Sequence, residues 1–140
     1  MEPPGNFSES RTVTGGWRSE IQHRYRSFTA ALRGLGWLIR RERHFQLHLV
    51  AAVAAILLAL VLGLSPIEWA ILLLTIGLVL VAEGINTAIE YTIDLTVRQV
   101  DPIARMAKDI GAAAVLVAAV ISVLIGCFLF LPKLVALFHR

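Results

Sequence analysis

Glu83-Gly84-Ile85-Asn86-Thr87-Ala88-Ile89-Glu90 closes the apolar run Ala70–Ala82, and Asp94 follows one turn later. A run of this kind reads as a membrane-crossing helix, and carboxylates at that depth are costly. An aspartate at a helix centre carries a penalty of about 2.5–3.5 kcal/mol on insertion scales. On a helix, Glu83, Asn86, Glu90 and Asp94 fall within roughly 80° of one another at about 100° per residue. The helix therefore bears a single acidic stripe, about 16 Å long. So expensive a stripe implies a function.

The rest of the chain fits a membrane setting. Of 140 residues, 57% are hydrophobic, which predicts a small polytopic all-α membrane protein with one domain. The net charge of +3 is unevenly spread, with Arg11, Arg18, Arg24, Arg26, Arg33, Arg40, Arg41 and Arg43 all preceding the first bare apolar run. That placement favours a membrane-apposed cytoplasmic face over nucleic-acid binding. Cys127 is the single cysteine, which excludes an intrachain disulfide and a cysteine-based metal site and suggests a packing role. No apolar segment near Met1 suggests a cleavable signal.

Residues 1–16, rich in Pro, Gly, Ser, Asn and Thr, read as a disordered lead before one domain over 17–140. From about Trp17 to Arg43, Phe28, Leu32, Leu35, Leu38 and Ile39 recur at helical spacing beside Arg26, Arg33 and Arg40. This is a basic amphipathic helix suited to the membrane surface, with Gly34 and Gly36 weakening it or marking a bend. Three spans follow, at about 45–62, 67–92 and 110–131. Gly63-Leu64-Ser65-Pro66 separates the first two, Trp69 is a candidate interface anchor, a loop covers 97–105, and Pro132 is expected to stop the third span. The arginine-rich start places the N-terminus inside and the C-terminus outside. Arg98, Arg105 and Lys108 then lie on the cytoplasmic side.

This topology gathers Glu42, the stripe and Lys108-Asp109 at one membrane boundary, near His44, Gln46 and His48. Hard oxygen donors suit Mg²⁺, which typically takes one or two carboxylates plus phosphate oxygens. A neighbouring lysine neutralises a transferring phosphoryl group. Glu83, deepest in the apolar run, is placed to accept the proton of a hydroxyl presented from the bilayer. The chemistry suggests phosphoryl transfer from a cytoplasmic nucleotide to a lipid alcohol. A carboxylate-lined proton or cation transporter is the rival class. A non-catalytic basic anchor leaves Glu83, Asn86 and Glu90 unexplained. His44 and His48 read as interface residues, with His48 also placed to hydrogen-bond a neighbouring helix. The nucleotide signatures of P-loop enzymes and protein kinases are absent.

The run Glu83 to Glu90, then Asp94, then Ala107-Lys108-Asp109 leading into Ala112-Ala113-Ala114-Val115-Leu116, resembles the bacterial integral-membrane diacylglycerol kinase family. The resemblance extends over about Phe28 to Lys133. Glu42 with Phe45 and His48, Glu68-Trp69, Asn86-Thr87 and Phe130-Leu131-Pro132-Lys133 resemble its undecaprenol kinase branch. The resemblance implies an ATP- and Mg²⁺-dependent lipid kinase of the bacterial inner membrane, a homotrimer of three-span subunits. Its acceptor would be undecaprenol, with diacylglycerol as the alternative. It further implies Glu83 as catalytic base, Glu42 and Glu90 as metal ligands, and Asn86, Lys108 and Asp109 at the nucleotide, with Asp94 in support. Three features depart from the family pattern: Asp101-Pro102 where a histidine often stands, Arg105 in place of a lysine, and the long lead.

Overall fold

A computed structural model describes residues 16–97, 99 and 101–139. The expected disordered lead lies outside them, except Gly16, as do Arg98 and Arg140. Four helices are present: α1 (Gly16–Arg41), α2 (Arg43–Leu62), α3 (Pro66–Thr96) and α4 (Pro102–Phe138). The chain divides into two compact units between Trp37 and Leu38, the first formed by most of α1 and the second by everything after it.

α1 runs through Gly34 and Gly36 unbroken. A helical glycine costs only about 1 kcal/mol, too little to force a bend. The break comes at Glu42, whose backbone is extended at φ −94° and ψ 113°. The break orphans carbonyls that a continuous helix would satisfy. Gln46 repairs one, its Nε2 donating to Ile39 O at 3.0 Å, while Glu42 N donates to Leu38 O at 3.1 Å.

The turn between α2 and α3 is defined by its local chemistry. Gly63 adopts φ 63° and ψ 62°, the left-handed conformation that closes helices, and its N–H bonds Ala59 O. Ser65 then caps α3. Glu68 N donates to its hydroxyl at 3.4 Å, and Ser65 N donates to Glu68 Oε2 at 2.6 Å, with Pro66 in the first turn. The loop expected over 97–105 is shorter than that, because Asp101 already caps α4. Its Oδ1 accepts from Ile103 N at 2.7 Å and Ala104 N at 3.1 Å.

Helices α2, α3 and α4 are each long and apolar enough to cross a membrane. The 31 residues of α3 and the 37 of α4 extend about 46 and 55 Å, past a hydrocarbon core of about 30 Å. Pro132 does not end α4, contrary to the expectation from sequence; the helix continues to Phe138. Neighbouring contacts hold the turns that proline would otherwise release. Leu129 is buried in the core, and Lys133 Nζ lies 3.0 Å from Glu68 Oε2.

That ion pair joins the end of α4 to the start of α3. At the opposite end, Tyr91 joins the end of α3 to Glu42, just before α2. The three spans therefore run up, down and up. Ala59, Leu64, Leu72 and Leu129 form the core, with Ile76 and Phe130 packed around them. Trp69, expected at the interface, packs half-buried against this cluster. Buried Ala52, Ala59, Thr75 and Ala118 allow the close backbone approach that membrane helices use. Cys127, expected to pack, is exposed.

Candidate active site

The stripe on α3 changes environment along its length. Glu83 is 4% exposed and Asn86 7%, Glu90 is half-buried, and Asp94 is exposed. The gradient follows the flanking helices: past Glu90 the stripe runs beyond the start of α2, and Asp94 faces the open depression at the α3–α4 turn. Thr87, also on α3, is buried too.

Glu83, Asn86 and Glu90 share a cleft of about 320 Å³ with His44 and His48 of α2. Ala112, Val115, Leu116 and Ala119 of α4 form its apolar side. Among the described residues no hydrogen-bond or ion-pair partner reaches the Glu83 carboxylate. A buried carboxylate without a partner is destabilised, so it gains from a hydroxyl donor entering the cleft. Asn86 Nδ2 donates to Glu90 Oε1 at 3.0 Å, one turn along α3. Among the described residues Asn86 Oδ1, which is buried, has no partner.

Glu42 reaches the same end of the bundle by another route. Its Oε1 accepts a 2.7 Å hydrogen bond from the phenol of Tyr91, the residue after Glu90. Lys108 is held by Asp94 in a short ion pair, with the lysine side chain 34% exposed. This pair lies in a separate depression at the α3–α4 turn, with Gln99, Asp101 and Arg105. Asp109, next on α4, is exposed and lines neither depression. The predicted residues thus form a central group, Glu83–Asn86–Glu90, with Glu42 and Lys108 each tethered to α3 and Asp109 apart.

Among the described residues no group of three or more His, Cys, Asp or Glu side chains forms a metal cage. The donors that sequence assigns to a metal, Glu42 and Glu90, each have one carboxylate oxygen engaged with a neutral donor.

Two contributors, Tyr91 and Gly111, escaped the sequence reading. Tyr91 stands beside the stripe, but its bond to Glu42 crosses 49 residues of chain. His44 and His48, placed near the site by sequence and read as interface residues, line the cleft, and among the described residues neither bonds a neighbouring helix. Their spacing of four residues on one face of α2 was the available signal. His48 also borders a smaller apolar groove of about 170 Å³, lined by Ala51, Ala55, Ile76 and Phe130 among others. Gly111, opposite Asn86, is the second.

The chain matches the family described as prokaryotic diacylglycerol kinase over residues 29–130. It is 46% identical to undecaprenol kinase of Bacillus subtilis (strain 168) over 84% of this chain and 95% of that protein. It is 42% identical to a diacylglycerol kinase of Synechocystis sp. over 79% of this chain and 64% of that protein. It is 33% identical to diacylglycerol kinase of Escherichia coli (strain K12), covering 63% of this chain and 72% of that one.

Proposed function

The chain belongs to the prokaryotic diacylglycerol kinase family and is a lipid kinase, and on that premise we propose that it transfers the γ-phosphoryl group of Mg-ATP to undecaprenol. The observation that carries the proposal is Glu83: buried, unpartnered, and facing a cleft on a membrane helix. Glu83 takes the proton of the lipid hydroxyl, the hydroxyl oxygen bonds to the γ-phosphorus, and ADP leaves with the bridging oxygen. Family membership sets aside the transporter reading.

The residues fit a hard divalent cation. Glu90 and Glu42 would hold it, each through the oxygen not already engaged. Few protein donors are what Mg²⁺ ordinarily requires when substrate phosphates and water complete its shell. Bound there, the ion supplies neutralisation of the charge on the phosphates. Asn86 holds Glu90 in place, and Lys108 and Asp109 serve the nucleotide from α4, with Asp94 keeping Lys108 at hand. Enclosure by α2 and α4 keeps bulk water from Glu83.

Undecaprenol is favoured as acceptor by the identity to the Bacillus subtilis enzyme across nearly its whole length. Diacylglycerol is the second reading, favoured by the Synechocystis and Escherichia coli relatives. The cleft end of the bundle lies on the cytoplasmic side, in keeping with the arginines before α2, and the subunits assemble as a homotrimer in the bacterial inner membrane.

The deciding assay supplies labelled Mg-ATP to the protein in nanodiscs containing undecaprenol and diacylglycerol together. Label should enter undecaprenol faster. Faster labelling of diacylglycerol reverses the acceptor, and transfer to neither lipid overturns the kinase reading.

A further inference from the structure

We propose that Gly111 is a positioning residue: its bare Cα on α4 seats the Asn86 side chain so that the amide is turned onto Glu90. The inference rests on the reading of Glu90 and Asn86 as metal- and nucleotide-site residues.

Gly111 lies inside α4, immediately before Ala112-Ala113-Ala114. Glycine in a helix interior is worse than alanine, so a glycine beside three alanines needs a local reason. The reason is Asn86. A Cβ added at Gly111 would fall well inside contact distance of Asn86 Oδ1, and would lie 3.5 Å from its Cγ and 3.8 Å from Ile89 Cδ1. The other helical glycines behave differently. Nothing lies within 4 Å of a Cβ built at Gly34, Gly36 or Gly77, and one at Gly126 would meet Phe130 only at the ordinary distance of 3.9 Å.

The seating has a directional consequence. An asparagine side chain carries its acceptor and donor in one plane, on opposite sides of the Cβ–Cγ axis. With Oδ1 pressed against α4, Nδ2 faces Glu90 Oε1, 3.0 Å away. A flipped amide would set Oδ1 against the carboxylate, two acceptors facing each other. Among the described residues Oδ1 finds no partner in its buried position, a cost that a purely structural side chain would avoid. That cost is tolerated because the other half of the amide holds Glu90.

A methyl group at position 111 would displace a side-chain oxygen rather than backbone. The response is rotation of Asn86 and release of Glu90, with α3 and α4 still paired. Partners that orient a metal ligand are worth about 10- to 100-fold in metal affinity.

The test is a double-mutant cycle on the full chain in nanodiscs. Gly111→Ala, Asn86→Ala and the double variant are titrated with Mn²⁺ and a non-hydrolysable ATP analogue, with bound metal read by electron paramagnetic resonance. Gly111→Ala should weaken Mn²⁺–nucleotide binding about 10-fold or more, and the double variant should be no weaker than Asn86→Ala. Wild-type binding by Gly111→Ala, or penalties that multiply in the double variant, overturns the proposal. The side-chain ¹⁵N–¹H resonances of Asn86, recorded without nucleotide, test the seating separately. They should shift in Gly111→Ala, and unchanged resonances refute the seating. Because this signal needs neither metal nor substrate, a failed kinase reading is told apart from a failed seating. Asn86→Ala makes room for the added methyl, so the double variant remains folded if Gly111→Ala alone does not.

Discussion

The phenol of Tyr91 donates a 2.7 Å hydrogen bond to Glu42 Oε1, tying the extended residue between α1 and α2 to the last turns of α3. A carboxylate at a helix break has considerable freedom, and this bond removes part of it. Tyr91→Phe keeps the ring and deletes the donor. The expected outcome is a raised Mg²⁺ requirement, by about 10-fold if Tyr91 orients a metal ligand, with the lipid KM little changed. A Mg²⁺ titration of the initial rate checks this, and an unaltered requirement argues against Glu42 as a ligand.

Glu83→Gln preserves shape and hydrogen-bonding reach while removing the proton acceptor. General-base loss typically costs about 10²- to 10⁴-fold in rate. Turnover should fall in that range while nucleotide affinity stays near normal, as read by calorimetry with a non-hydrolysable analogue. A near-normal kcat would remove Glu83 from the chemistry.

Asp94→Asn weakens the tether on Lys108. The pair is partly exposed, the Asp94 side chain at 62%, so little stability rests on it. The change should appear as a higher KM for ATP with kcat less affected, and with thermal unfolding unaltered. A fall in kcat at constant KM would instead mean that Asp94 positions Lys108 for the transferring group rather than for nucleotide binding.

Ala59 is fully buried between α2 and the Leu72–Leu129 core. Ala59→Leu adds bulk where α2 has no room, and overpacking commonly costs about 1–3 kcal/mol. Thermal unfolding in detergent should show the loss, and activity below the transition should persist, because Ala59 lies toward the far end of α2 from Glu83. Unchanged unfolding would mean that the spans separate at little cost.

Much of the bundle follows from local pattern. The three apolar stretches, the Gly63–Pro66 turn and the acidic stripe depend on hydropathy, glycine and proline geometry and helical period, all properties of near neighbours. Pro132 shows the limit of such reasoning. Its missing N–H is a local fact, but α4 continues because Leu129 and Lys133 are held by other helices. Cys127 fails in the same way: hydropathy marks it as apolar without saying which face of α4 meets a partner.

The site divides similarly. Sequence alone determined that Glu83, Asn86, Glu90 and Asp94 share one face, because helical period dictates it, and made so costly a stripe the candidate site. Tertiary structure decided what each meets. It left Glu83 buried and unpaired, turned Asn86 onto Glu90 over the bare Cα of Gly111, sent Lys108 to Asp94, and brought Tyr91 to Glu42. These pairings depend on the rotation and depth at which α2 and α4 pack against α3. Those are set by side-chain fit between helices distant in sequence, and no period within a single helix encodes them.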